Sequence, residues 1–522
     1  IYCKKKIINY IDVADILNNE LHEEALLESK RLVDNLQYNK FMSELMRVRY
    51  KGIIRKFFNS SFFVYFLINK IKEKHNINAI YVSGWSSVNF KNVKENFFIS
   101  KICIELFDSK LVKIVSSDGF KYATQKKYRY NLIDKVNLPT NSILVTNLGY
   151  NFKRIVFCAF KTKFKIVCLS FEKISKIKKF IFYILGVNIY QFKESEFDQI
   201  DTGIIIPDIY YSYKQKDFSK LLNFRKSQIL TELFNLESQC KAISHFFMKN
   251  RPALILLNMV RGYNGYCAEI SRKLNIPSLC VSHGTISKSF NPYGSIYQNI
   301  IAEEVFSGKA KYYALQTKIT KNSLTTVKIS EETIETGNII FSEAKQKSKK
   351  YILYAVTNRQ FVNMHYFGIE TYYEFLKNLE LFEKMAKKYN LNFLIKIHPG
   401  INSSIQDLRF LYKNLKFTKM KIEKALEISA VTISYSSTVI EDSLCSKVPV
   451  ILFDQWKRYL HCEAQKDASL ENYAVYYATT ENDLLKAINS VKESASINFK
   501  DYIYEGSYTE NIYKHIFHLR ND

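Results

Sequence analysis

The sequence predicts an α/β protein: two domains, each with an open parallel sheet, facing each other across a cleft. Short apolar runs alternate with helical stretches along most of the chain, the rhythm that parallel strands and covering helices generate. Several runs are continuously apolar, as in strands covered on both faces. A chain of 522 residues has room for two large domains or three ordinary ones, at roughly 100 to 200 residues each.

The elements follow in order. A strand over Lys6 to Asp12 precedes a helical stretch, Val13 to Asn35, with apolar positions three and four apart. Strands are expected at Ala79 to Ser83, Leu111 to Ser116, Ser142 to Asn147, Arg154 to Phe160 and Phe164 to Leu169. Phe218 to Lys249 reads as one or two helices; Ala253 to Asn258, Gly265 to Leu274 and Ser278 to Ser282 then read as a βαβ unit. A third block repeats the alternation: strand Lys350 to Val356, helix Tyr373 to Tyr389, strand Asn392 to Ile397, helix Ile422 to Ile428, strand Ala430 to Ser434, helix Thr438 to Leu444 and strand Val448 to Phe453. Thr336 to Lys349 turns from a Gly-bearing turn to a polar, basic run and suits a linker, which divides the chain into 1–340 and 341–522. Open parallel sheets bind ligands beyond the carboxyl ends of their strands, so the cleft between the domains is the expected site.

Composition narrows the function. Seventy-six Lys and Arg against fifty Asp and Glu leave a net charge of +26, a surplus that suits nucleic acid, anionic lipid or phosphorylated substrates. No zinc-finger spacing, basic zipper or RNA-binding aromatic pattern occurs, so nucleic acid is not an expected partner. Abundant Lys, Ile, Asn, Tyr and Phe beside scarce Gly and Pro also fit a genome-wide bias. Nine cysteines without a CxxC pair form neither a disulfide framework nor a zinc pattern, and a reduced cytosolic compartment is expected. No apolar stretch approaches the ~18 to 20 residues of a membrane span. The chain starts at Ile1 rather than Met, which suits a trimmed start. Lys173, Lys176, Lys178 and Lys179 lead into the apolar Phe180 to Val187. This segment reads either as peripheral contact with an anionic membrane surface or as a helix end running into a buried strand, and the second is preferred.

The chemistry-bearing residues sit where expected strands end. Lys396-Ile397-His398-Pro399-Gly400 closes one strand, and the proline stops it. An imidazole there can donate a hydrogen bond or a proton to a departing phosphate. The next strand ends in Ser434-Tyr435-Ser436-Ser437-Thr438 and opens a helix carrying Glu441 and Asp442. Hydroxyls at a helix start serve as N-caps, worth ~0.5 to 2 kcal/mol, or as part of a phosphate site. Glu441 either gains from the helix dipole or takes ribose hydroxyls. Arg359, beyond the strand Lys350 to Val356, offers a forked contact to phosphate. In the first half, Ser278 to Ser282 runs into His283-Gly284-Thr285 with Lys288 beyond, and Leu111 to Val115 into Ser116-Ser117-Asp118-Gly119. Both Gly284 and the Asp-Gly pair also suit ordinary turns.

The ordered set LYAVTNR (353–359), KIHPG (396–400) and ISYSSTVIEDSLCSKVPVILFD (433–454) resembles the C-terminal half of bacterial GT-B transferases of surface polysaccharides. The similar patterns are those of CDP-glycerol glycerophosphotransferases, capsule polysaccharide transferases and bacterial sialyltransferases. His283-Gly284-Thr285-x-x-Lys288 resembles the His-Gly-Thr-x-x-Lys turn of the CDP-glycerol family. Ala314 to Thr317 and Thr336 to Asn338 stand at the places of that superfamily's further landmarks. The resemblance implies two Rossmann-like domains, His283 as base, and His398 with Ser436 and Ser437 on the donor phosphate. Arg359, Lys396, Thr438 and Glu441 complete the expected donor set. Asp118 is the rival base, on the pattern of the acidic-acidic-Gly motif of bacterial sialyltransferases. Ser434 stands where the glycerophosphotransferase pattern usually has Asp, and Asn338 to Phe341 replaces a more polar turn; both weaken a CDP-glycerol assignment. The implied activity is a metal-independent glycosyltransferase without cofactor. Its implied donor is a CMP-activated sugar such as Kdo or sialic acid, and its acceptor an oligosaccharide or lipid-linked glycan at the cytoplasmic face of the membrane. The alternatives are a polyol-phosphate transferase and a non-catalytic member of a synthesis complex. Roughly the first 250 residues carry no resemblance.

Overall fold

The computed structural model describes residues 19–36, 44–83, 98–116, 127–132, 138–146, 152–159, 161–162, 164–196, 206–224, 226–282, 288–289, 299, 302, 306, 308–326, 331–355, 368–397, 408–457 and 459–519. Two helices, Asn19–Asp34 and Glu44–Lys74, lead the described chain. The second contributes Phe58, Phe62 and Phe66 to the first core, where Phe62 meets Phe218 with ring centroids 4.6 Å apart. Strands β1 (Ile80–Ser83) and β2 (Val112–Ser116) pair in parallel as a small separate sheet.

The first large sheet has eight strands. They are β3 (Tyr128–Leu132), β4 (Ser142–Val145), β5 (Lys165–Ser170), β6 (Val187–Glu196), β9 (Leu254–Leu257), β10 (Ser278–Cys280), β12 (Tyr312–Ala314) and β13 (Glu332–Ile334). A hairpin of β7 (Ser212–Tyr213) and β8 (Lys216–Asp217) and a short strand, β11 (Lys288–Ser289), lie outside it. The spatial order is β13-β12-β10-β9-β4-β5-β6-β3, parallel except for β3, which runs antiparallel to β6. The chain fills one side through β4, β5 and β6, then returns to fill the other from β9. The order therefore reverses between β4 and β9. All residues of these two central strands are buried, which explains their continuous apolar runs.

The second sheet repeats the plan with six strands, all parallel. β14 (Tyr351–Tyr354), β15 (Phe393–Lys396) and β16 (Lys416–Thr418) fill one side; β17 (Ser429–Ser434), β18 (Val450–Phe453) and β20 (Val475–Ala478) fill the other. The order β16-β15-β14-β17-β18-β20 reverses between β14 and β17.

The carboxyl edges of the two sheets meet. β11 lies on the chain leaving β10, and β19 (Tyr459–Leu460) on the chain leaving β18; these two short strands pair antiparallel, Lys288 with Leu460 and Ser289 with Tyr459. Trp456, beyond β18, packs against the first core. This is the expected architecture of two α/β domains facing each other. The chain's end then crosses back: Ile512, Ile516 and Phe517 share a core cluster with Ile143, Ile166 and Leu254 of the first sheet. Arg154 fastens this return, donating through Nη1 to the carbonyl of Phe341 and setting its guanidinium 4.6 Å from the Tyr508 ring centroid.

Three local expectations are corrected. Arg154 to Phe160, expected as a strand, begins as the helix Lys153–Ala159, which buries Ile155, Val156, Cys158 and Ala159; a short apolar run does not distinguish the two by periodicity. The segment before β6 is not a buried strand but the helix Lys176–Ile184, none of whose residues is buried. The first half of the expected linker is not solvated, since Thr336, Asn338, Ile339, Ile340, Phe341 and Ser342 are all buried. Asn338 folds it into a turn, donating to the Phe341 carbonyl at 3.0 Å and accepting from the Phe341 N–H at 2.8 Å. The strand expected at Lys6 to Asp12 lies outside the described residues.

Candidate functional site

The strand order of the second sheet reverses between β14 and β17, and the carboxyl edge at such a reversal is the place where open α/β sheets take ligands. β17 is held by its apolar faces, with Val431 and Ile433 in the core. It delivers Ser434-Tyr435-Ser436-Ser437 to that edge and continues into the helix Val439–Cys445. Ser436, Ser437 and Thr438 are half-buried, whereas Ser434 is fully buried. Ser437 Oγ accepts the Val439 N–H at 3.4 Å. Thr438 occupies the N-cap position in helical conformation, φ −62° and ψ −9°, and makes no side-chain cap bond. Its hydroxyl is not committed to capping.

Lys396 ends β15, beside β14, and is half-buried. Burial pushes its ammonium pKa down, and the carboxylates of Asp442 and Glu423 oppose that shift. Asp442 is itself buried; that burial raises its carboxyl pKa to about 6, against hydrogen bonding from Ser342. The Ser342 N–H reaches Asp442 Oδ1 at 2.7 Å. A desolvated cation at this edge can be stabilised by a further anionic group, such as a phosphate.

Glu441 lies elsewhere than a ribose contact suggests. It is fully buried, and its Oε1 stands 3.0 Å from Nε2 of His461, also buried. In this structure its carboxylate serves the histidine just beyond β19. Sequence reasoning did not single out His461: Tyr459-Leu460-His461 carries no pattern, and only the pairing of β19 with β11 fixes its place.

His398, Arg359, His283 and Asp118 lie outside the described residues. The chain enters the first three segments from carboxyl ends of large-sheet strands: β15 through buried Ile397, β14 through buried Ala355, and β10 through buried Ser282. Asp118 follows β2, which belongs to neither large sheet.

The exit of β10 is held by a buried amide that sequence reasoning placed only among landmarks. Gln316 Nε2 donates to the Ser282 carbonyl at 2.7 Å, and its Oε1 accepts the N–H groups of Ile339 and Ile340 at 3.3 and 3.2 Å. One side chain thus ties the chain ahead of His283 to the segment joining the sheets. Gly337 in that segment has φ +68°, and a Cβ there would lie 2.6 Å from Asn511 Nδ2. The glycine is required both for its left-handed conformation and for the hydrogen bond from Asn511 Nδ2 to the Asn338 carbonyl, 2.9 Å.

No protein-family model matches the chain, and no curated protein matches it. Solved structures similar to it include the UDP-GlcNAc 2-epimerase from Methanocaldococcus jannaschii, with 13% identity, a TM-score of 0.42, and 72% of this chain and 98% of that chain covered. The UDP-GlcNAc 2-epimerase from Neisseria meningitidis bound to UDP-GlcNAc is similar at 11% identity and a TM-score of 0.40, covering 73% and 99%. The wall teichoic acid polymerase TagF is similar at 14% identity and a TM-score of 0.40, covering 74% and 89%.

Proposed function

We propose that the chain is a glycosyltransferase of GT-B type that uses a nucleotide-activated sugar, with CMP as the leaving group, to extend a bacterial surface glycan such as a capsule or lipooligosaccharide. One observation carries the reading: the hydroxyl-rich Ser434 to Thr438 leaves β17 at the order reversal of the second sheet, opposite the carboxyl edge of the first. Residues 341–522 then supply most of the donor side and 1–340 the acceptor side. Ser436, Ser437, Thr438 and Lys396 hold the donor phosphate together with His398 and Arg359. A base, His283 or Asp118, takes the proton of the acceptor hydroxyl as its oxygen bonds to the anomeric carbon. The bond from that carbon to the phosphate oxygen breaks, and CMP leaves with the electron pair. Donors aimed at the departing phosphate lower the barrier. The reading uses no metal.

A second reading, transfer of glycerol phosphate or another polyol phosphate from a CDP donor, is favoured by His283-Gly284-Thr285-x-x-Lys288. Phosphorus in the glycan product separates it from sugar transfer.

The test is a thermal-shift series with CMP, CDP, UDP and GDP. A ligand at ~100 times its dissociation constant stabilises by ~2.7 kcal/mol. CMP or CDP should raise the melting temperature, and Ser436→Ala with Ser437→Ala should remove the rise. Stabilisation by UDP or GDP alone sinks the cytidine reading; indifference to all four sinks the donor site. Transfer should also survive EDTA.

A further inference from the structure

The helix Lys176–Ile184 joins β5 to β6. Its sequence, KIKKFIFYI, sets Ile177, Phe180, Ile181 and Ile184 at i, i+3, i+4 and i+7, the spacing by which a surface helix ordinarily meets its core. Here that stripe faces outward: the four residues are 75%, 63%, 51% and 56% exposed. Phe182 and Leu185, off the stripe, touch the first sheet's core, and no residue of the helix is buried. The helix is nonetheless well closed. Ser175 Oγ accepts the Lys178 N–H at 3.3 Å, and the Leu185 N–H reaches the Ile181 carbonyl at 3.1 Å.

The preceding crossover helix, Lys153–Ala159, packs into the same core cluster and carries another exposed aromatic, Phe157. Successive right-handed crossovers in one direction cover the same sheet face, so Phe157 is a further exposed aromatic on that side of the sheet. An exposed apolar stripe along one helix marks an interaction site.

Charge indicates the occupant. At 100° per residue, Lys176 and Lys178 stand on opposite sides of the stripe, with Lys179 behind and Lys173 just ahead. The helix has no acidic residue. Among the described residues none of these four lysines has an ion-pair partner, and the whole chain carries +26. Apolar side chains bordered by ammonium groups match a lipid surface with anionic headgroups: the rings and branched chains enter the acyl boundary while the lysines reach the phosphates. Nine residues span only ~14 Å against a hydrocarbon core of ~30 Å, and no described helix is long and apolar enough to cross a membrane. Against such a surface a helix of this length lies in the interface plane rather than across it.

We propose that this face, centred on Ile177, Phe180, Ile181 and Ile184, docks the protein on an anionic membrane surface. The inference is independent of the nucleotide reading. It is tested by sedimenting the full chain with vesicles of phosphatidylcholine alone and of phosphatidylcholine mixed with phosphatidylglycerol. The chain should bind the mixed vesicles, and less tightly as salt rises. Phe180→Asp with Ile184→Asp, and separately Lys176→Glu with Lys178→Glu, should each lower partitioning about tenfold or more. Melting temperatures should not change, since the helix buries no residue. Phe410→Asp, at an exposed phenylalanine of the second half, should bind as the parent does. Equal binding to uncharged vesicles, helix variants that bind normally, or an equal loss in Phe410→Asp overturns the proposal. So does a lipid-free chain that light scattering shows to be a dimer and that Phe180→Asp with Ile184→Asp makes monomeric, because the patch is then a contact between protein copies.

Discussion

The backbone N–H of Ser342 donates to Oδ1 of Asp442 at 2.7 Å, linking the segment between the sheets to the helix that follows the serine-rich turn. Asp442 is buried, and its carboxyl pKa is raised from 3.8 to about 6, chiefly by burial. The folded state thus holds this proton more tightly than the unfolded chain. Its contribution to stability is fullest below pH ~4 and is lost as pH rises through ~6. Asp442→Asn keeps an acceptor for Ser342 and removes the charge. The variant should therefore gain roughly 1–3 kcal/mol over the parent at pH 7.5, toward the lower figure because the attraction to Lys396 is also lost. Near pH 4 the advantage should vanish. A difference in melting temperature that is constant between pH 4 and 7.5 would show that Asp442 does not titrate in this window.

Gln316 satisfies three buried backbone groups with one amide. Gln316→Leu keeps much of the volume and leaves the Ser282 carbonyl and the Ile339 and Ile340 N–H groups without that partner. The expected cost is about 2–4 kcal/mol in urea unfolding. Because Ser282 directly precedes His283, transfer should fall further than stability at a temperature where the variant remains folded. A variant within ~0.5 kcal/mol of the parent would mean that water or a shifted backbone replaces the amide.

The Glu441 and His461 pair separates a structural role from a ribose contact. Glu441→Ala strands a buried imidazole and should cost about 2–4 kcal/mol. Glu441→Gln, which retains a hydrogen-bonding oxygen, should cost less and leave CMP affinity within about threefold, since the carboxylate serves His461. If Glu441→Gln instead melts normally and binds CMP about tenfold more weakly or worse, the ribose role is restored.

The second sheet was legible because its strands are continuously apolar; Phe393 to Lys396 and Val450 to Phe453 fall inside the expected ranges, and Ser429 to Ser434 starts one residue before its own. Order within the sheets was not, since strand neighbours are decided by contacts between distant residues, such as Leu353 opposite Thr432. Arg154 to Phe160 and Phe180 to Val187 misled for a shared reason. Each run is too short for its length to choose between helix and strand, and the second is apolar on a face that the protein's own core does not cover. Among the residues expected to bind the donor, Ser436, Ser437 and Thr438 follow β17 at the sheet's carboxyl edge. The burial of Glu441 was invisible, because its partner His461 lies beyond another strand and carries no motif of its own.

The choice of base remains the sharpest test of the reaction. Ser282, held by Gln316, leads from the first sheet into the His283 segment, and β11 beyond that segment pairs with β19 of the second half. The described residues on either side, Ser282 and Lys288, are thus both held, the second where the two halves pair. Asp118 follows β2, whose described pairing is with β1 alone. A base must come within about 3 Å of the acceptor hydroxyl in the reactive complex, and the described chain next to His283, unlike that next to Asp118, belongs to a large sheet and to the pairing of the two halves. His283→Ala should therefore lower single-turnover transfer at saturating donor by about 10²-fold or more. Asp118→Asn should retain most of the rate, and both variants should bind CMP as the parent does, so that a donor defect is not mistaken for lost chemistry. His283→Ala should also lose the acid limb of the rate profile that an imidazole base imposes near its pKa, which no positioning defect would remove. The reverse outcome, with Asp118→Asn inactive and His283→Ala active, assigns the proton to Asp118 and moves the chain toward the sialyltransferase pattern.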